Sequence, residues 1–193
     1  MDDGRPSTPK APLRSLASRV EWECPWYRVR VHDVVRTDGT PGLYNVVEKG
    51  AAVFVVPVTT ERQVALVRSY RVAVDDWCLE IPAGGVEPGV SREDAARREL
   101  REEVGGVAEW LEYHGSFYTL NSICDEIAHV YLATGVALGA TAHEPGEVIE
   151  VVLVSIAEAL NLAHHNRISD GPSALAVLLL ENRLRELVEP EAE

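Results

Sequence analysis

The sequence predicts an α+β fold, a mixed β-sheet sandwiched between helices. Three observations carry that prediction: short segments with the two-residue period of strands fill the first half, one Arg/Glu-rich helical segment interrupts them, and the last quarter reads as helix. With 193 residues, 46% of them hydrophobic, the chain has enough apolar material for one sizeable core.

The elements follow in order. Residues 1–20, MDDGRPSTPKAPLRSLASRV, are polar and lack the apolar centre of a signal peptide, so a flexible arm is expected there. Trp26 to Val35, WYRVRVHDVV, alternates as a half-buried strand. RTDGTPG supplies turn residues and LYNVVE resumes as a strand, so residues 21–49 read as a hairpin region. AAVFVVPV is a continuous apolar run, the mark of a strand buried on both faces. QVALVRSYR returns beside it, and WCLEIP is a further short strand ending at Pro82. HVYLATGV and VIEVVLV read as later strands. SIAEALNLAHHN and PSALAVLLLENRLRELV are helical, the latter with Pro172 near its first turn.

Charge and cysteine usage narrow the function. A net charge of −13 repels nucleic acid backbones and anionic membranes, and neither is expected as a partner. No apolar run reaches the length of a membrane span. Cys24, Cys78 and Cys124 are odd in number and widely spaced, which fits a reducing, cytoplasmic setting. A small anionic substrate remains compatible with this surface if a metal cation offsets its charge.

The chemistry concentrates in GGVEPGVSREDAARRELREEVGG, from Gly84 to Gly106. Ser91 is a candidate N-cap with Asp94 in capping-box spacing, and Gly105 a candidate terminator. At 3.6 residues per turn, Glu99, Glu102 and Glu103 fall within an arc of about 100°. They border an apolar stripe of Ala96, Leu100 and Val104. Pairs four apart, such as Glu93 with Arg97 and Arg98 with Glu102, are also what an ordinary solvated helix carries. What distinguishes this helix is the glycine-rich loop before it, which can bring backbone carbonyls close to the carboxylates. Hard oxygen donors gathered in this way suit magnesium or manganese.

The stretch resembles the Nudix box. Gly84 matches its first Gly, and Arg98, Glu99, Leu100, Glu102, Glu103 and Gly105 match its second half in register. Val90 stands where the box has Glu, and Gly106 where it has an apolar residue. LVRSYRVAVDDWCLEIPAGG and the preceding hairpin resemble the ADP-ribose pyrophosphatase branch, extending the likeness over roughly residues 20 to 180. Downstream, LNSICDE (Leu120 to Glu126) has Asn121 and Ser122 where that branch has Pro-Gly.

The resemblance implies a Nudix fold in residues 50–193 and cleavage of a nucleoside diphosphate linked to a sugar, with ADP-ribose giving AMP and ribose 5-phosphate. UDP-sugars, GDP-mannose, or a catalytically silent ligand-binding module are the alternatives. Mg2+, or Mn2+, would be held by Glu99 and Glu103, with Glu102 and the Ala83 carbonyl completing the set. Arg98 would orient Glu99. Glu147, or Glu144, would be the base for the attacking water. Arg71 would contact the diphosphate or the ribose, and Trp26 and Tyr44 would stack the base. The hairpin region would form a homodimer.

Overall fold

The computed structural model describes residues 13–143 and 148–188. It divides into two compact units. The first runs up to Lys49 and adds Leu120–Glu126; the second takes Gly50–Thr119 and the chain from Ile127 onward.

The first unit is a three-stranded antiparallel sheet of β1 (Arg14–Glu23), β2 (Arg28–Val35) and β3 (Pro41–Glu48), in that order. β1 begins inside the stretch expected to be an arm. All ten of its residues are exposed, so it shows no buried face from which a pattern could be read. Its pairing with β2 is a matter of backbone register, from Arg14 opposite Val35 to Glu23 opposite Arg28. β2 starts at Arg28, which leaves Trp26 in the connection between strands, 74% exposed. Leu120–Glu126 closes against β3: the Val47 amide donates to the Ile123 carbonyl at 2.7 Å, and Lys49 pairs with Glu126 at 2.7 Å.

The second unit is an α/β/α sandwich. Its sheet is built from β4 (Ala51–Thr59), β5 (Gln63–Arg71), β6 (Asp76–Glu80), β7 (Ala83–Gly85), β8 (Gly106–Val107), β9 (Trp110–Tyr118), β10 (Ile127–Leu138) and β11 (Ile149–Ser155). The central order is β11-β5-β4-β10-β8, with β6 on β5, β7 on β4 and β9 on β10. β4 and β10 run parallel and the remaining pairs antiparallel, so the sheet is mixed as expected.

Parity along the strands explains the uninterrupted apolar runs. Ala52, Phe54, Val56 and Val58 of β4 face one core, which α2 (Ile156–His164), α3 (Gly171–Leu179) and α4 (Glu181–Glu186) cover. Val53 and Val55 face the other, which α1 (Arg92–Val104) covers with Ala95, Ala96, Leu100 and Val104. A strand buried on both faces has no polar side to show. The single C-terminal helix expected over residues 172–188 is two, α3 and α4, joined at Leu180. Among the described residues no helix is long and apolar enough to cross a membrane.

Candidate active site

α1 is capped as its sequence anticipates. The Ser91 hydroxyl accepts from the Asp94 amide at 3.0 Å and donates to the Asp94 carboxylate at 2.6 Å. Gly105 ends the helix at φ 66, a left-handed conformation that glycine adopts without strain. Gly106, where the family pattern has an apolar residue, is buried. A side-chain carbon there would come within 3.0 Å of Leu100, and Val136 crowds it from the other side. Those two neighbours fill the space an apolar side chain would take.

The helix sets its acids at the rim of the α1 core. Glu103 is 6% exposed, and its carboxylate accepts from the Ala83 amide at 3.3 Å. Glu99 lies against Gly84 so closely that a Cβ there would overlap its carboxylate. Gly84 is therefore a steric requirement, since only a residue without a side chain leaves Glu99 its place. Glu102 is turned toward Arg98, 3.6 Å from its Nε. Among the described residues, no three His, Cys, Asp or Glu side chains gather as a metal cluster. The donor set is thus two sequestered carboxylates beside the backbone of β7. Buried carboxylates are costly without compensating charge, and all-oxygen donors suit a hard divalent cation.

Arg98 ties the helix to the loop. Its guanidinium donates to Glu99 at 2.9 Å, to the Gly85 carbonyl at 3.0 Å and to Glu87 at 2.9 Å. The Glu99 hydrogen bond, with the surrounding carboxylates, holds Arg98 firmly in its charged form. Asp94, four residues before it and a candidate partner by spacing, is occupied by Ser91 instead.

Arg71 ends β5 and forms a two-pronged ion pair with Glu80, one arm at 2.8 Å. Glu80 is 7% exposed, so the pair is anchored from below while the guanidinium stays half open to solvent. The Glu80 hydrogen bonds raise the Arg71 pKa, and Glu103 and Asp170 add to the effect, so Arg71 lies within the field of the acid cluster. The next residue, Ile81, donates its amide to the buried Ser173 hydroxyl at 3.2 Å, and Ser173 donates to Asp170 at 2.6 Å. Glu80, Glu87, Ser173 and Asp170 were not singled out from the sequence. Their signals are weak there: one acid in a strand, one in a turn, and a helix cap far downstream of the box.

The structure thus gathers Arg71, Ala83, Arg98, Glu99, Glu102 and Glu103 in the second unit. Trp26 and Tyr44 belong to the first, where the Tyr44 hydroxyl donates to the Ser122 carbonyl at 2.7 Å. Glu144 and Glu147, the candidate bases, lie outside the described residues.

Residues 48–173 match the NUDIX domain family. The chain is 34% identical over 153 residues to the ADP-ribose pyrophosphatase of Bacillus subtilis (strain 168), covering 78% of this chain and 83% of that protein. It is 32% identical over 156 residues to the methanol dehydrogenase activator of Bacillus methanolicus, covering 80% and 84%. The ADP-ribose pyrophosphatase of Escherichia coli (strain K12) is 31% identical over 147 residues, 69% of each chain. Among solved structures, an ADP compounds hydrolase superposes with a TM-score of 0.80, covering 94% of this chain and 99% of that one; at 21% identity that likeness concerns the fold. The chain belongs to the Nudix family and is a Nudix hydrolase resembling the ADP-ribose pyrophosphatases.

Proposed function

We propose that this protein is a metal-dependent pyrophosphatase of nucleoside diphosphate sugars, with ADP-ribose cleaved to AMP and ribose 5-phosphate. The observation that carries the reading is the convergence of Glu99 and Glu103 on Ala83 and Gly84 of β7. Magnesium, or manganese in its place, would be held by these two carboxylates, with Glu102 and the Ala83 carbonyl as further donors. When bound, such an ion supplies positive charge against the diphosphate and its reacting phosphorus. Arg98 holds the Glu99 carboxylate in place. Arg71, braced by Glu80, offers its remaining donors to a diphosphate oxygen. Water attacks one phosphorus of the bridge, the bond from that phosphorus to the bridging oxygen breaks, and the other phosphate leaves. Glu147, with Glu144 second, would take the proton from the water.

Trp26 and Tyr44 are the proposed base-stacking residues, and an aromatic face favours the larger purine surface. A homodimer formed through the N-terminal sheet and a cytoplasmic location complete the reading. The ADP-ribose pyrophosphatases among the relatives support the substrate class. Asn121 and Ser122 keep UDP-glucose and GDP-mannose as the competing substrates. The test compares kcat/KM for ADP-ribose, GDP-mannose and UDP-glucose at equal magnesium. A preference for ADP-ribose is expected, and a clear preference for the uridine compound overturns the stacking role of Trp26 and Tyr44.

A further inference from the structure

Val90 occupies the position where the box has a glutamate, and the local geometry accounts for that carboxylate's absence. Glu87–Val90 forms a turn closed by the Val90 amide donating to the Glu87 carbonyl at 3.1 Å, with Gly89 at φ 84. Beyond the turn, the Val90 side chain packs, half buried, against the α1 core. Before it, the Glu87 carboxylate meets Arg98 at 2.9 Å. The other terminal nitrogen of Arg98 divides its donors between the Gly85 carbonyl and Glu99. The guanidinium is therefore fixed at both ends, by Glu87 on the loop side and by Glu99 on the helix side.

We propose that Glu87 is a positioning residue that replaces, from three residues earlier, the box glutamate this chain lacks. By holding one end of Arg98 it keeps the other end on Glu99, and through Glu99 it sets the affinity for a divalent cation. The inference rests on the reading of Glu99 as a ligand of that cation. Without Glu87, the guanidinium is held only through the nitrogen on Gly85 and Glu99, and Glu102, already 3.6 Å from its Nε, competes for it. The Arg98 hydrogen bond to Glu99 would then weaken and leave its carboxylate less precisely held.

Burial separates this role from plain stabilisation. The Glu87 side chain is 68% exposed, and an ion pair that open contributes little to folding. Partners that orient a metal ligand, by contrast, commonly change metal affinity by about 10–100-fold. The effect belongs in metal binding and turnover rather than in the melting temperature.

The test uses the full chain with Glu87→Ala, Glu87→Asp, Glu87→Gln, the double variant Glu87→Ala with Val90→Glu, and Glu93→Ala. The last removes another exposed ion pair of α1, between Glu93 and Arg97, and serves as the control. Mn2+ binding to substrate-free protein is measured by calorimetry, beside kcat and KM for ADP-ribose at saturating magnesium and a thermal melt. Glu87→Ala should weaken Mn2+ binding about 10-fold and lower kcat with KM little changed, at an unaltered melting temperature. Val90→Glu should restore most of that loss. If the buried flank of position 90 keeps the double variant from folding, Glu87→Asp, which keeps the charge, should still retain more affinity than Glu87→Gln. Wild-type protein that binds no Mn2+ overturns the metal reading and this inference with it. Wild-type binding with a Glu87→Ala variant indistinguishable from Glu93→Ala overturns this inference alone.

Discussion

Gly84→Ala is the smallest change that should disable the site. The backbone at Gly84 is not among the left-handed glycines, so an alanine there meets no conformational penalty, only a steric one. Its methyl would come within 3.0 Å of the carboxylate carbon and both oxygens of Glu99, whereas ordinary contact begins near 3.4 Å. The carboxylate must withdraw by about 1 Å, because close-packed surroundings offer no other relief. Its withdrawal also pulls on the 2.9 Å bond to Arg98. A displacement of that size in a positioned group lowers turnover by about 100-fold, equivalent to about 2.7 kcal/mol of transition-state stabilisation. The assay is AMP formation from ADP-ribose over a magnesium titration, with a thermal melt to confirm folding. Turnover within threefold of wild type would show that the place of Glu99 against Gly84 does not matter to catalysis.

Further outcomes follow from the same geometry. Glu103→Gln keeps an acceptor for the Ala83 amide but loses the charge, so kcat should fall at least about 100-fold with the circular dichroism melt nearly unchanged. Arg71→Lys keeps a charge against Glu80 but cannot reproduce the two-pronged contact; KM should rise about 10-fold with a smaller change in kcat, measured by steady-state kinetics. Ser173→Ala leaves the Ile81 amide without its acceptor and should lower stability by about 1–3 kcal/mol in urea unfolding. His129 is 8% exposed, and burial, then Arg92, depress its pKa. The unfolded chain then takes up the proton more readily, so this contribution is complete above about pH 6.5 and is lost as pH falls below it. The melting temperature should fall more between pH 7 and pH 5 in the wild type than in His129→Gln.

The parts of this fold legible in the sequence are those where one residue type has one physical reason to be there. Ser91 and Gly105 mark the two ends of α1 because a helix terminus needs an acceptor at one end and left-handed backbone at the other. The apolar runs of β4 and β10 announce strands buried on both faces. β1 was missed because it buries nothing. β9 was missed as well: its burial is irregular, and its first residue, Trp110, is 64% exposed. In the site, the box supplied Arg98, Glu99 and Glu103, but spacing along a helix could not show that Arg98 reaches across the turn to Glu87 and leaves Asp94 to the cap. Nor could it pair Arg71 with Glu80: in the β5–β6 hairpin Arg71 stands opposite Asp76 and Glu80 opposite Val67, so the contact depends on how far the arginine side chain reaches along the sheet.

Four consecutive residues, from the last of β6 to the first of β7, are each secured by a different part of the second unit. Glu80 is held by Arg71 of β5, Ile81 by Ser173 of α3, the Pro82 carbonyl by the Val55 amide of β4, and Ala83 by Glu103 of α1. Since α3 packs on one face of the sheet and α1 on the other, this short connector is hydrogen-bonded to helices on both faces. Its amides should resist hydrogen exchange as strongly as the central strands, although Ile81 lies in no strand. A ligand that stiffens the acid cluster should slow exchange at the start of α3, on the far side of the sheet. Loosening the α3 cap should, in return, be felt as poorer grip at the acids.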